Sequence, residues 1–524
     1  MRGGVRSICG AVARWVVVTA TVGACVLVAA PSSSEATGRT PAPSLAPVRS
    51  IGRWSVDQYG RVVITHGLNI IRKTAPYYPP VFGAPDARFL ASQGFNGARI
   101  GFIWAGVEPR AGIIDHDAIA HLVSVNATLA HAGIRTLVDV HQDLYSEKYG
   151  GFGAPSWASN PPVCAAGGSG VPPSCGSLSA FQELWNDTPV GGRGLQTHFA
   201  NMWVAGARAL RRAGNLLGYD LLNEPYAGSR WSCALFAPCP AFEQHELPAF
   251  YRRLIRRVRS ADHTTPIWYE PVPQTTGAAT ELPPHFTHDK QLGFTFHFYD
   301  RSCGLAAEPT TIEAERAQIV RCSPAEAAAL DAGISYAARA GIPPELGEFG
   351  DSDNRVDNSL MVDLADERFL SWTYWQYNTT GASVAPGLLL DDAKPGSVGN
   401  ARPERLDALV VPYPQAVTGT PRSYHYDRAT RVMAFTYSTH LVGGKRRCSA
   451  PTTLFVPKLV YPDGYRATVD GARVLSAASS SWLQLSARPG VSRVQVQISP
   501  RRGGRTDLPK TAQDRSRAAR ATCR

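Results

Sequence analysis

The chain predicts an α/β architecture, a (β/α)8 (TIM-type) barrel followed by a small C-terminal β-sandwich, and three observations carry that expectation. Between residues 61 and 410, short apolar runs alternate with longer helix-like stretches. Such alternation is how strand-helix units of a parallel sheet read in sequence. The polar motifs fall at the C-terminal ends of the apolar runs, the face on which a parallel barrel gathers its working residues. Beyond residue 410 the rhythm changes to short strand-like runs separated by Gly, Pro, Asp or Ser, the pattern of a β-sandwich.

Taken in order, residues 1–36 place Arg2, Arg6 and Arg14 before an apolar run over 15–30. That run is shorter than the roughly 20 residues of a membrane span. It predicts a secretory signal and an extracellular protein, with an uncleaved N-terminal anchor at the cell envelope as the alternative. Residues 37–50, rich in Pro, Ala, Ser and Thr, predict a linker. Residues 51–402 predict the barrel domain, with strands at 61–70, 96–102, 134–140, 219–222, 266–269, 291–296, around 348 and 371–375. The helices between them are expected at 85–93, 117–131, 196–212, 246–261, 324–340 and 361–368, with one more near 402–410. The 144–192 stretch, rich in Gly and Pro, predicts a working loop rather than a core element. Residues 403–500 predict the sandwich, with strands at 432–437, 453–456, 465–469, 482–485 and 491–498. Residues 501–524 predict a basic disordered tail.

With 524 residues, 44% hydrophobic and 9% aromatic, the chain can bury a large core. The net charge of +11 sits mainly at the ends: 501–524 holds eight Arg or Lys and two Asp, and the leader adds a small excess. No internal basic patch with interleaved aromatics stands out, so nucleic acid is not an expected partner. Of the ten cysteines, Cys9 and Cys25 lie in the leader, leaving an even number in the exported chain. Spacing suggests Cys164 with Cys175, Cys233 with Cys239 and Cys303 with Cys322, leaving Cys448 and Cys523 as a fourth pair. No Cys-x-x-Cys or Cys-His cluster of ligand spacing occurs, and neither metal nor cofactor is expected.

The chemistry concentrates on two strand ends. In 219–226 an apolar run closes on Asn223-Glu224-Pro225, with Pro225 ending the strand. A second carboxylate, Glu348, stands in Gly347-Glu348-Phe349-Gly350. Two carboxylates facing one barrel mouth are what glycosidic hydrolysis needs, about 5 to 5.5 Å apart where configuration is retained. Glu345 and Glu270 also lie near strand ends. Glu345 is expected to pair with a cation or open its strand, and Glu270 is the rival for the role of Glu348.

Together with His297-Phe298-Tyr299 and Trp375, these motifs resemble glycoside hydrolase family 5, the retaining β-glycosidases built on this barrel. The stretches 67–76, with Lys73, His141-Gln142-Asp143-Leu144-Tyr145-Ser146 and 153–158, with Trp157, resemble its endoglycoceramidase branch, which cuts between sugar and ceramide. The resemblance covers roughly residues 50–500, because that branch also carries a C-terminal β-sandwich.

It implies Glu224 as acid/base, Glu348 as nucleophile and Asn223 as partner of the sugar 2-hydroxyl. Tyr299 would orient Glu348, and Arg99 would keep it ionised. His141 and His297 would be subsite residues, Lys73 and Asp143 would hydrogen-bond the sugar, and Trp157 belongs to the branch motif. Trp375 would give the sugar a flat floor. The implied partner is a carbohydrate or glycolipid, met by a monomeric enzyme with transient contact to a membrane surface. The Cys-bounded insertion at 160–176 and the 233–239 pair depart from the branch and leave the aglycone side open. A cellulase-, mannanase- or β-glucosidase-type enzyme is the alternative. A non-catalytic sugar-binding barrel is disfavoured, since it has no need of both Glu224 and Glu348.

Overall fold

The computed structural model describes residues 45–79, 81–159, 174–234, 237–273, 279–379, 387–444, 448–501 and 522–523. The leader, most of the linker, Cys164 with most of its insertion, and all of the tail except residues 501, 522 and 523 lie outside them. Eight parallel strands close into a barrel: β1 (His66–Ile70), β2 (Gly97–Gly101), β3 (Arg135–Asp139), β4 (Leu216–Asp220), β5 (Ile267–Tyr269), β6 (Leu292–His297), β7 (Pro344–Glu348) and β8 (Ser371–Tyr374). The chain order is the spatial order, and β8 pairs back onto β1 in parallel register. Every residue of β1, β3, β4 and β7 is buried, as strands covered on both faces require.

The helices of seven residues or more are α1 (Ala84–Ser92), α2 (His116–His131), α3 (Cys175–Trp185), α4 (Leu195–Leu210), α5 (Glu246–Arg259), α6 (Ile312–Ala340), α7 (Arg355–Glu367) and α8 (Pro403–Leu409). Two departures from the sequence expectation have physical reasons. α6 begins twelve residues before the expected 324, because Thr311 caps it by accepting from the Ala314 N–H, and Pro324 stands inside the helix rather than opening it. α7 likewise begins at an Asn354 cap that accepts from the Asp357 N–H. Among the described residues no helix joins β5 to β6, so the strict alternation is broken there.

The stretch after β3 is a packed cover rather than a bare loop. α3 lies in it, with Phe181 fully buried and its ring 5.0 Å from that of Tyr145 and 5.4 Å from that of Tyr226.

The sandwich strands are β9 (Tyr413–Val417), β10 (Thr420–Asp427), β11 (Val432–Ser438), β12 (Thr452–Phe455), β13 (Tyr465–Asp470), β14 (Ala472–Val474), β15 (Trp482–Ala487) and β16 (Arg493–Pro500). One sheet runs β10-β11-β16-β13; the other contains β9, β12, β15 and β14. Alternation sets the faces: Val494, Val496 and Ile498 of β16 are buried while Arg493, Gln495 and Gln497 are exposed. The expected strand at 61–70 is two strands. Val62–Val63 pairs with β9, and with Arg49–Ile51 and Trp54–Val56 it extends the sandwich sheet, so the chain enters the second domain before it enters the barrel.

The sandwich meets the barrel on its N-terminal face. Tyr413 stacks on His66 at the start of β1, and its hydroxyl donates to the Gly94 carbonyl, just before β2, at 2.7 Å. Gly94 has φ +90°, and a Cβ there would collide with the Phe455 ring. The carboxylates lie at the opposite mouth, so this contact is structural.

Cys233–Cys239 and Cys303–Cys322 are disulfides, as spacing suggested. Backbone pairing sets Cys448 opposite Cys523. Beside the second bridge, Glu326 of α6 is fully buried and neither oxygen has a hydrogen-bond partner. Burial, with Asp357 and Asp300 adding like charge, pushes its carboxyl up to about 9. A raised folded pKa gives stability that is complete below the unfolded value of about 4.3 and is lost as pH rises through 9. Glu326→Gln is therefore expected to be more stable than the parent at pH about 8, by on the order of 2 kcal/mol, and equal to it at pH about 4. Denaturant midpoints at the two pH values check this; a difference that does not vary with pH overturns it.

Candidate active site

The barrel's C-terminal mouth is organised by a cation. Arg99, inside β2, is completely buried and spends its guanidinium on several strands at once. Nη1 donates to Glu348 Oε1 at 2.7 Å and to Asn69 Oδ1 at 3.2 Å. Nη2 reaches Asp139 Oδ1 at 2.9 Å, Asp220 Oδ2 at 3.0 Å, Glu270 Oε1 at 2.9 Å and Asn223 Oδ1 at 2.8 Å. A planar fork of five donors can hold several strand ends in fixed relation, which an ammonium could not. Asp139, Asp220 and Glu270 bring carboxylate oxygens within 4.8 Å of one another, and the guanidinium sits against all three.

Glu348 ends β7, and Tyr299 donates its hydroxyl to Glu348 Oε2 at 2.7 Å. With Arg99 on Oε1, both oxygens are held in place. Glu224 lies across the mouth, four residues past β4, with backbone φ +43°, a left-handed conformation disfavoured for a residue with a Cβ. Gln142 Nε2 donates to the Glu224 and Asn223 carbonyls, both at 2.8 Å. Burial raises the Glu224 carboxyl above the ordinary range; the nearby Glu348 and Asp143 carboxylates add to this, against a pull from His297. One carboxylate oxygen from each of Glu224 and Glu348, with a ring nitrogen of His297, lie within 4.8 Å of one another.

His297 joins the two sides. Nδ1 lies 3.0 Å from Glu224 Oε1 and 3.6 Å from Glu348 Oε2, and Nε2 lies 3.3 Å from Glu270 Oε1. Burial opposes a charged ring, but Glu270, then Glu348 and Glu224, raise its pKa well above the usual value. As an imidazolium it donates from Nδ1 to Glu224 Oε1, and Oε2 stands outside that bond.

Around this core sits a second group. Lys73 pairs with Asp143 at 2.5 Å and lies 4.3 Å from the Trp375 ring centroid. His141 stacks on Trp375 with centroids 5.3 Å apart, and its Nδ1 bonds Asp139 Oδ2 at 2.8 Å. Burial works against the Asp143 carboxylate, yet Lys73 and His141 hold its pKa well below the ordinary range. Trp375 is only 4% exposed, so the floor it can offer a sugar is narrow. Asn223 turns its amide N–H to the Gln142 carbonyl at 2.8 Å and its oxygen to Arg99.

Ten of the eleven residues expected from sequence are thus drawn into one connected cluster, and one is not. Trp157 donates its indole N–H to the Glu108 carbonyl and packs edge-on to Trp104 and His198, in an adjoining aromatic layer. Glu345 is corrected too. It is buried within β7 and has no ion pair among the described residues, and burial, against the pull of Arg99, pushes its carboxyl up to about 7. Asp139, Asp220, Gln142 and Asn69 were not anticipated. A lone carboxylate within an apolar strand, as in Val138-Asp139-Val140 or Tyr219-Asp220-Leu221, signals a buried cation, because an unpaired charge there would be too costly.

The profile of Cellulase (glycosyl hydrolase family 5) matches residues 56–381. The chain belongs to glycoside hydrolase family 5. The family's C-terminal domain matches residues 412–499. Endoglycoceramidase I of Rhodococcus hoagii (strain 103S) is 31% identical over 452 residues, covering 83% of this chain and 85% of its own. The endoglycoceramidase of Cyanea nozakii is 26% identical over 79% of this chain and 85% of its own. Among solved structures, endo-glycoceramidase II from Rhodococcus sp. in a five-membered iminocyclitol complex aligns with TM-score 0.67 and 26% identity over 85% of this chain and 99% of its own. The same Rhodococcus protein, solved as a lactosyl-enzyme intermediate, aligns at 25% identity with TM-score 0.66 over the same shares. The family 5 enzyme is therefore a glycoside hydrolase.

Proposed function

We propose that this family 5 enzyme is a retaining β-glycosidase that releases glycan from a β-linked glycolipid, with Glu224 as acid/base and Glu348 as nucleophile. The observation that supports the reading is that the two carboxylates share one mouth closely enough for His297 Nδ1 to reach both, at 3.0 Å to Glu224 and 3.6 Å to Glu348, with one oxygen of each less than 4.8 Å from the other. Inverting enzymes keep about 6.5 to 9.5 Å between carboxyl groups to admit a water, whereas retaining ones close to about 5 to 5.5 Å. The electrostatics agree: burial raises the Glu224 carboxyl toward the protonated form an acid needs, while Arg99 and Tyr299 both donate to Glu348 and fix its orientation.

Protonation of the leaving oxygen by Glu224 and attack by Glu348 form a glycosyl-enzyme. Glu224, now a base, then activates water to release the sugar with its original configuration. A lactosyl-enzyme intermediate has been trapped in the Rhodococcus relative, which supports double displacement here. Lys73 and Asp143 would hold sugar hydroxyls at the rim, with Asn223 facing the 2-hydroxyl.

The endoglycoceramidase relatives favour a ceramide-like aglycone over a polymer. Each buried methylene would add on the order of 0.8 kcal/mol to binding, so a lipid aglycone can dominate affinity. The enzyme would meet it at a membrane surface, as a monomer outside the cell; the two disulfides suit an oxidising compartment.

Proton NMR of the first-formed sugar is expected to show the β-anomer before mutarotation, and appearance of the α-anomer first would overturn retention. Release from glycosylceramides is expected to exceed that from short cello- or manno-oligosaccharides in kcat/KM by at least about 10²-fold. Comparable values would remove the lipid reading and leave the glycosidase standing.

A further inference from the structure

Glu270 follows β5 and makes three side-chain contacts, two of which lead to Glu224. Its Oε2 accepts the backbone N–H of Glu224 at 2.8 Å. Its Oε1 accepts from Arg99 at 2.9 Å and lies 3.3 Å from His297 Nε2. Its own backbone is pinned by Tyr251, whose hydroxyl donates to the Glu270 carbonyl at 2.8 Å. The side chain is buried, and oxygens of Asp139 and Asp220 also lie within 4.8 Å of it.

Two features of Glu224 need an external cause. Its φ of +43° is a conformation that costs on the order of 1 to 3 kcal/mol for a non-glycine residue, held only where surroundings over-determine it. Its Oε1 depends on His297 presenting an N–H from Nδ1, which requires a partner that fixes the other ring nitrogen. Glu270 meets both needs with one carboxylate: Oε2 accepts the strained N–H, and Oε1 sets a negative charge 3.3 Å from the far nitrogen of the imidazole.

We propose that Glu270 is the positioning residue of the acid/base, a carboxylate that fixes the backbone of Glu224 through its N–H and its side chain through His297, so that Glu224 Oε2 points at the leaving oxygen. It touches neither sugar nor reacting atoms. Its effect is expected to fall chiefly on proton donation, because Arg99 keeps Asp139 and Asp220 as partners and its own bond to Glu348. The proposal rests on the reading of Glu224 as acid/base, and the two can fail separately.

The test is leaving-group dependence of kcat/KM, which reports the glycosylation step alone. Glu270→Gln keeps the volume but turns an amide toward the Glu224 N–H. It is expected to lose about 10²-fold on a substrate with an alkyl leaving group, which needs the acid, and less than about 10-fold on a 2,4-dinitrophenyl glycoside, which does not. Glu270→Asp keeps the charge for Arg99 but shortens the reach to Glu224, and the same selective loss, smaller in size, is expected; it serves if the Gln variant does not fold. Glu224→Ala is measured beside them. If Glu224→Ala discriminates between the substrates and the Glu270 variants lose activity equally on both, the positioning role is overturned while the acid/base reading stands. If Glu224→Ala itself shows no discrimination, Glu224 is not the acid and both fall.

Discussion

Glu348→Gln is expected to lower kcat by at least about 10⁴-fold on any β-glycoside while leaving the protein folded. Among the described residues no other carboxylate is placed to take over the role proposed for Glu348. Glu270 is turned to Arg99, His297 and the Glu224 N–H, and Glu345 lies buried inside β7. The fold should survive because the Gln oxygen can still accept from Arg99 while its amide N–H donates to the Tyr299 hydroxyl oxygen, and Arg99 keeps Asp139, Asp220 and Glu270 as counter-charges. Steady-state rates with circular dichroism and thermal unfolding check this. A variant that melts instead would show that Glu348 is chiefly structural. Residual activity within about 10²-fold of the parent would assign the nucleophile elsewhere.

The second large effect concerns Arg99. Arg99→Met is expected to cost on the order of 3 to 5 kcal/mol at neutral pH, because it leaves a buried carboxylate cluster without its cation. The loss should shrink on acidification. Burial raises Asp139, and burial with Glu270 raises Asp220, so protons can take over part of the role of the guanidinium as pH falls. Arg99→Lys tests geometry apart from charge: one ammonium cannot span Glu348 on one side and the three carboxylates on the other. It is expected to fold better than Arg99→Met and still lose at least about 10²-fold in kcat. Denaturant unfolding at pH about 5 and about 7 decides the first point; a Met variant as stable as the parent at both would mean that the cluster is neutral without Arg99.

The sequence alone determined the barrel, because strands buried on both faces must be nearly all apolar and a polar residue at their ends must serve the mouth. Asn223-Glu224-Pro225 and Gly347-Glu348-Phe349-Gly350 are legible for that reason, as are the local disulfides, whose partners are near in the chain. What only the tertiary structure decided are relations between distant residues. The α6 start at Thr311 was hidden because a proline mimics a helix opening. The entry of residues 49–63 into the sandwich sheet depends on pairing with β9, some 350 residues away, which no local pattern encodes. Trp157 sits outside the cluster because its indole N–H is taken by Glu108, a partner that sequence does not reveal. The convergence of Asp139, Asp220, Glu270 and Glu348 on Arg99 follows from barrel closure, which brings the ends of β2, β3, β4, β5 and β7 together. Each strand specifies only that its own buried charge needs a partner, and the closed barrel decides which one it finds.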